Sequence, residues 1–366
     1  MKFIINRDIL LNPLQQIVGV IEKRQTMPIL ANVLMVANDN CLILTGTDLE
    51  IQLVSKICID LKEAGSISVP ARKLLDLCRL LPADTNVNFE QDKEKIKIYT
   101  AKGRFSLSCL PAEHFPEFAE SEMQLSFSLS SQKLKKALEK TTFCMANQDV
   151  RYYLNGLMLH ISNQKIKYVA SDGHRLAVFE DQLDVATGYE NRLIIPRKGI
   201  LELLRLIDHS EALLNIQFSN NHIRIMFDNC IFSAKLVDAK YPDFSKVFQQ
   251  QFKESITIAK LPLKETLTRV AVLSNEKFKG VTFEFSKGTI KISTHNPDHD
   301  EAEESIEIGY QGEPMSIAFN AQYLLDAIAS VEAEDVLLTV ARNDSCCFID
   351  EPTQCEYKYI VMPMRI

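Results

Sequence analysis

The stretch IKYVASDGHRLAV (Ile166 to Val178) decides how this chain is read. Its first seven residues have two counterparts in the same chain, LILTGTD (Leu42 to Asp48) and IKISTHN (Ile290 to Asn296), each 124 residues from the next. Apolar residues at the first and third positions predict a strand, and the polar end predicts a turn. The stretch also places Ser171, Asp172 and His174 within four positions, the residue types of a nucleophile, an orienting carboxylate and a base. Known triads draw their members from separate chain segments, whereas Asp-Gly reverses a hairpin because glycine tolerates positive φ. The counterparts keep a turn but lose those groups, since GTDLE has no histidine and HNPDHD no serine. The expectation is a polar-tipped turn and no catalytic residue, with a Ser171/Asp172/His174 hydrolase as the competing reading.

Three further sets repeat in the same order. ARKLLDL (Ala71 to Leu77), RKGILEL (Arg197 to Leu203) and AQYLLDA (Ala321 to Ala327) carry a helical apolar stripe and align Asp76, Glu202 and Asp326. FSLSCLP (from Phe105), FSAKLVD (from Phe232) and YIVMPMR (from Tyr359) recur at 127 residues. Amphipathic segments start at Arg7, Ser131 and Leu261. Four matches at nearly one period indicate three copies of a unit of about 120 residues, each α+β with two helices over antiparallel strands. The predicted domains are 1–120, 125–250 and 254–366, separated by the short polar stretches FPEFAESEMQ (from Phe115) and FQQQFKES (from Phe248).

Composition narrows the function. The apolar runs are far shorter than the roughly 20 residues that span a bilayer, and the start MKFIINRD does not read as a secretory leader, so a cytoplasmic protein is expected. Nine scattered cysteines without C-x-x-C suggest free thiols in a reducing compartment. The vicinal Cys346-Cys347 lacks partner ligands, so no metal is expected. Phosphate-binding glycine loops and zinc-hydrolase motifs are absent, and no cofactor is implied.

The net charge is -7, yet the six helical segments together carry +7 and the remainder -14. Lys133, Lys136 and Lys140 share one helix face, while Arg72 and Arg79 repeat the spacing of Lys198 and Arg205. A basic face on symmetry-related helices of an acidic chain suggests a shared anionic partner. With no base-reading motif, binding to DNA would be salt-sensitive and sequence-blind. A scaffold that binds peptides without DNA is the remaining alternative.

Several strings carry a family resemblance: VPARKLLDLCRLLP, QDVRYYLNGLML, SDGHRLAV, KLVDAKYPDF, LSNEKFKGV and YIVMPMRI. They closely resemble the β subunit of bacterial DNA polymerase III, the sliding-clamp family, over the whole chain. The resemblance implies three tandem clamp-type domains forming half of a six-domain ring, a head-to-tail homodimer around duplex DNA. It implies Arg24, Arg72, Lys73, Arg79, Lys136, Gln148, Arg197, Lys198 and Arg205 as the DNA-facing set. It also implies a hydrophobic peptide cleft between the second and third domains, built from Leu154, Ser171, Gly173, His174, Arg175, Leu176, Pro242 and Val247, with Asn320, Tyr323, Val361, Met362, Pro363, Met364 and Arg365. The implied occupants are short linear motifs of the replicative polymerase catalytic subunit, clamp loader, translesion polymerases and mismatch-repair proteins. Pliable Met362 and Met364 suit one groove to many partners. The implied dimer contact joins Phe105, Val272 and Leu273, with Lys73 and Arg104 facing Asp298, Asp300, Glu301, Glu303 and Glu304.

Overall fold

A computed structural model describes residues 1–21, 27–118, 122–249, 252–341, 346–353 and 356–365. Among them lie six α-helices: α1 (Arg7–Val20), α2 (Ala71–Leu80), α3 (Ser131–Thr141), α4 (Arg197–Leu206), α5 (Lys260–Ala271) and α6 (Ala321–Ser330). Each follows a strand directly. The Asn6 side chain starts α1 by accepting from Asp8 N at 2.8 Å, and Asn320 starts α6 by accepting from the amides of Gln322 and Tyr323. Of the expected stripe residues, Leu74, Leu75 and Cys78 of α2 and Ile200, Leu203 and Ile207 at α4 are buried while Leu81 and Leu204 are half-buried, and α1 buries Leu10, Leu14, Ile17 and Val20.

Backbone contacts divide the chain into two compact units, Met1–Lys135 with Lys198–Val237, and Lys136–Arg197 with Asp238–Ile366. The first unit holds a five-stranded sheet that ends on the Arg104–Ser108 strand, and an eight-stranded sheet. The second holds another eight-stranded sheet and a four-stranded one that ends on the Glu301–Glu307 strand. Among the described residues, all strand pairs are antiparallel.

The division does not follow the three repeats, because strands from neighbouring repeats join edge to edge. In the first unit the Cys230–Lys235 strand of the middle repeat pairs with Ile51–Cys58 of the first, Phe232 opposite Leu53. In the second unit Tyr357–Val361 of the last repeat pairs with Arg175–Gln182 of the middle one, Tyr359 opposite Ala177. A continuous ladder makes as many contacts across a repeat boundary as within a repeat. The polar stretch from Phe248 is only partly a connection: a strand already runs through Phe252–Ala259, paired to Asp335–Ala341.

Candidate functional site

The SDGH segment is the turn between the Lys165–Ser171 and Arg175–Gln182 strands. Ser171 Oγ donates to the Arg175 carbonyl at 2.8 Å and accepts from Gly173 N at 3.1 Å. Asp172 Oδ1 accepts from the amides of His174 (2.9 Å) and Arg175 (3.0 Å), and its Oδ2 takes the Arg175 Nε at 3.0 Å. Gly173 sits at φ +88°, the region glycine adopts without strain. The first repeat builds the same turn. Thr47 Oγ1 donates to Ile51 O at 2.7 Å and accepts from Leu49 N at 3.1 Å, and Asp48 Oδ1 caps the amides of Glu50 and Ile51. The hydrolase reading fails on these bonds: Asp172 orients Arg175, not the His174 ring, which lies 6.5 Å from the Tyr323 ring at 23° between planes.

Arg175 is the hub of the site. Its Nη1 reaches Asp326 Oδ2 at 2.6 Å, and its guanidinium lies 4.4 Å over the Tyr323 ring. Backbone bonds then lace the C-terminal segment across this turn, with Met362 N donating to His174 O at 2.8 Å and Met364 N to Ala318 O at 2.7 Å. Val361 is buried opposite Arg175, while Met362 keeps 43% of its surface exposed, the alternation expected of an extended segment. Arg151 Nη2 donates to Asp172 O at 3.0 Å, tying the short helical turn that carries buried Leu154 to the same place. Thus Leu154, Ser171, Gly173, His174, Arg175, Leu176, Asn320, Tyr323, Val361, Met362, Pro363 and Met364 fall on adjoining elements of one unit. Pro242 is exposed and Val247 half-buried on the segment leading to the third repeat. Arg365 and Met364 border a pocket of about 470 Å³ that Phe278, His295 and Pro297 complete.

The sequence reading missed Arg151 and Asp326. A signal for Asp326 existed in its alignment with Asp76 and Glu202. Those acids meet an arginine three residues on, Arg79 at 4.0 Å and Arg205 at 2.7 Å. In the third repeat that position is Ala329, which leaves Asp326 to receive Arg175.

The basic helices are less open than their spacing suggests. Arg72 and Lys73 are exposed, Gln148 is exposed at φ +57°, and the surface pair of Arg79 with Asp76 is a weak tie. Lys136 meets Glu356 at 3.3 Å and Lys140 meets Glu332 at 2.9 Å. Three expected members of the DNA-facing set are committed within their own unit. Lys198 pairs with Asp48, whose side chain is only 4% exposed. Arg205 Nη2 donates to Gln16 O of α1 at 3.0 Å, passing so close to Gly19 that a Cβ there would clash with the guanidinium. Arg197 donates to Met145 O at 2.8 Å. These partners are distant in sequence and so invisible to helical spacing. Arg24 lies outside the described residues.

Two of the sheet edges, the Arg104–Ser108 and Glu301–Glu307 strands, differ in charge. Arg104 and Phe105 are exposed on one, and Glu301 and Glu303 are exposed on the other, beyond the Asp298 and Asp300 turn. Val272 is 76% exposed and Leu273 half-buried after α5. Within the chain, Glu304 accepts from Arg269 at 2.5 Å and from Thr266 at 3.2 Å.

Three models of the DNA polymerase III beta subunit match the chain: its N-terminal domain over residues 1–119, central domain over 128–243 and C-terminal domain over 245–365. The chain is similar to the beta sliding clamp of Pseudomonas putida (41% identical) and to that of Escherichia coli K12 (38%), each covered completely by the alignment. Its fold is similar to the DNA polymerase sliding clamp of Pseudomonas aeruginosa, with TM-score 0.96 at 40% identity over all of both chains. A sliding clamp from Bartonella birtlesii bound to griselimycin gives TM-score 0.95 at 30% identity, again over both full chains. With the threefold repeat and the basic helices, these matches place the chain in the DNA polymerase III β-subunit family, the non-catalytic DNA sliding clamps of bacterial replication.

Proposed function

We propose that two copies of this chain close head to tail into a six-domain ring around duplex DNA, with domains at 1–120, 125–250 and 254–366. One observation carries the reading: the same edge-to-edge join occurs twice within the chain, in the same register. Phe232 stands opposite Ile225 in its own hairpin and opposite Leu53 across the join; Tyr359 stands opposite Ile349 and Ala177. The corresponding residue of the first repeat is Phe105, opposite Ile98. On the receiving side Leu53, Ala177 and Ala302 stand opposite Gly46, Ala170 and Thr294. The unused donor is therefore the Arg104–Ser108 strand, and the unused acceptor is Glu301–Glu307. Continuing the register across two copies sets Phe105 opposite Ala302 and Arg104 opposite Glu303. Cross-strand opposite charges favour that pairing and its register. An unpaired strand edge is otherwise a liability. Val272 and Leu273 add apolar contact, and Lys73 faces Asp298, Asp300 and Glu301 of the second copy.

Phosphate contacts are assigned to Arg72, Lys73, Arg79, Lys136 and Gln148, and by the family resemblance to Arg24, while Arg197, Lys198 and Arg205 chiefly hold the fold. Loose, sequence-blind contacts let a closed ring slide. The cleft around Arg175, with Pro242 and Val247 on its rim, takes short linear motifs of the replicative polymerase, clamp loader, translesion polymerases and mismatch-repair proteins in the cytoplasm. The test is topological. Loaded protein should persist on nicked circular DNA and run off after linearisation, and an Arg104→Glu variant should sediment as a monomer and fail to persist. Equal loss from circular and linear DNA would remove the ring, and a dimeric Arg104→Glu variant that persists would remove this register.

A further inference from the structure

Cys41 and Cys58 stand directly opposite each other in the ladder between the Cys41–Thr47 and Ile51–Cys58 strands. The bond from Ile59 N to Asn40 O, 3.0 Å, flanks the pair, and the bond from Asp48 N to Ile51 O falls on the same alternate set. Cys41/Cys58 is therefore a non-hydrogen-bonded pair. Such pairs place their Cα atoms about 4.5 Å apart, inside the range of about 4.4–6.8 Å that a disulfide bridges. The turn that joins the two strands fixes their register, with Asp48 N donating to Ile51 O and Asp48 Oδ1 accepting from the amides of Glu50 and Ile51.

Both thiols occupy the solvent side of the sheet. Leu42, Leu44 and Ile57 point into the core, whereas Cys41 is half-buried and Cys58 exposed. The other cysteines among the described residues are buried: Cys78, Cys109, Cys144, Cys230, Cys346 and Cys347. Burial pushes the Cys78 and Cys109 thiols up to about 11, which withholds the reactive thiolate.

We propose that Cys41 and Cys58 are a modification site, a dithiol that closes reversibly on exchange with a low-molecular-weight disulfide of the glutathione class. The exposed Cys58 thiolate attacks one sulfur of the oxidised glutathione disulfide and displaces a glutathione thiolate. The Cys41 thiolate then attacks the Cys58 sulfur of the mixed disulfide and displaces the second. Two protein S–H bonds become one S–S bond, and one small disulfide is reduced to two thiols that carry away both protons. Exposed disulfides belong to the labile, regulatory kind rather than the structural kind. Closure staples the strand that also carries the join to Cys230–Lys235.

Full-length reduced protein incubated with oxidised glutathione, then alkylated and digested with trypsin, tests this. Cleavage after Lys56 separates the two cysteines. A cross-linked pair of peptides joining Cys41 to Cys58, lost on adding dithiothreitol, is expected. In Cys41→Ser, Cys58 should instead retain one glutathionyl group, because the resolving thiol is gone. The Cys58→Ser variant should show no cross-link from Cys41. The proposal is overturned if both wild-type thiols stay alkylatable, if each keeps its own glutathionyl group, or if either links to a different cysteine.

Discussion

The turns at Thr47–Ile51 and Ser171–Arg175 share one backbone design, yet only the second carries the proposed peptide cleft. In both, a hydroxyl bonds across the turn, an aspartate caps two amides, and the third residue has positive φ, +80° at Leu49 and +88° at Gly173. They differ in what the chain brings beside them. Asp48 meets Lys198 from α4, a closed ion pair. Asp172 aims Arg175 at Asp326 and Tyr323, and the Met362–Arg365 segment crosses the turn. A repeated scaffold thus supplies the shape, and the neighbour decides the function.

The strongest way to break this comparison is Arg175→Ala. Asp326 and Asp172 lose a shared, partly buried partner, so stability should fall by about 2–4 kcal/mol, and binding of a clamp-motif peptide should drop at least tenfold. Urea titration and fluorescence anisotropy measure the two effects, and unchanged peptide affinity in folded protein would separate Arg175 from the cleft.

Asp350 sharpens the same point because one of its carboxylate oxygens is buried unbonded. Its Oδ1 is buried without a hydrogen bond, and burial pushes its pKa up to about 6 from an ordinary 3.8, against a smaller opposing effect of Lys358. The folded state therefore binds this proton more tightly than the unfolded one. Stability should fall as pH rises from about 4 to about 6 and stay level above that as far as this group is concerned. Asp350→Asn should gain about 1–3 kcal/mol near pH 7.5 and almost nothing near pH 3.5, as read from melts at both values.

The smallest effects test the turns themselves, with opposite signs. Gly173→Ala should cost about 1–2 kcal/mol through left-handed backbone strain, since its Cβ would also stand 2.6 Å from Arg151 Nη1. Leu49→Gly should stabilise by roughly 0.5–1 kcal/mol at the matching position. The same sign for both would mean that the two turns are not equivalent.

Much of this was legible in the chain. The strings around Ala71, Arg197 and Ala321 place three helices within a residue or two of their observed starts, and the loss of histidine and serine from the other two turns already argues against catalysis. The basic residues were legible as a stripe but not as free charges. Nothing near Lys198 foretells Asp48, 150 residues away, and nothing near Arg205 foretells the Gln16 carbonyl, 189 residues away.

The sequence alone determined the triplication, the helix faces and the turn types, because those depend on periodicity and on residues within a few positions of one another. Only the tertiary structure decided which strands of neighbouring repeats meet in register, that the Arg104–Ser108 and Glu301–Glu307 strands end their sheets, and that Asp326 completes the grip on Arg175. Those outcomes depend on which surfaces meet after folding, and a strand's unpaired backbone carries no local label of its partner.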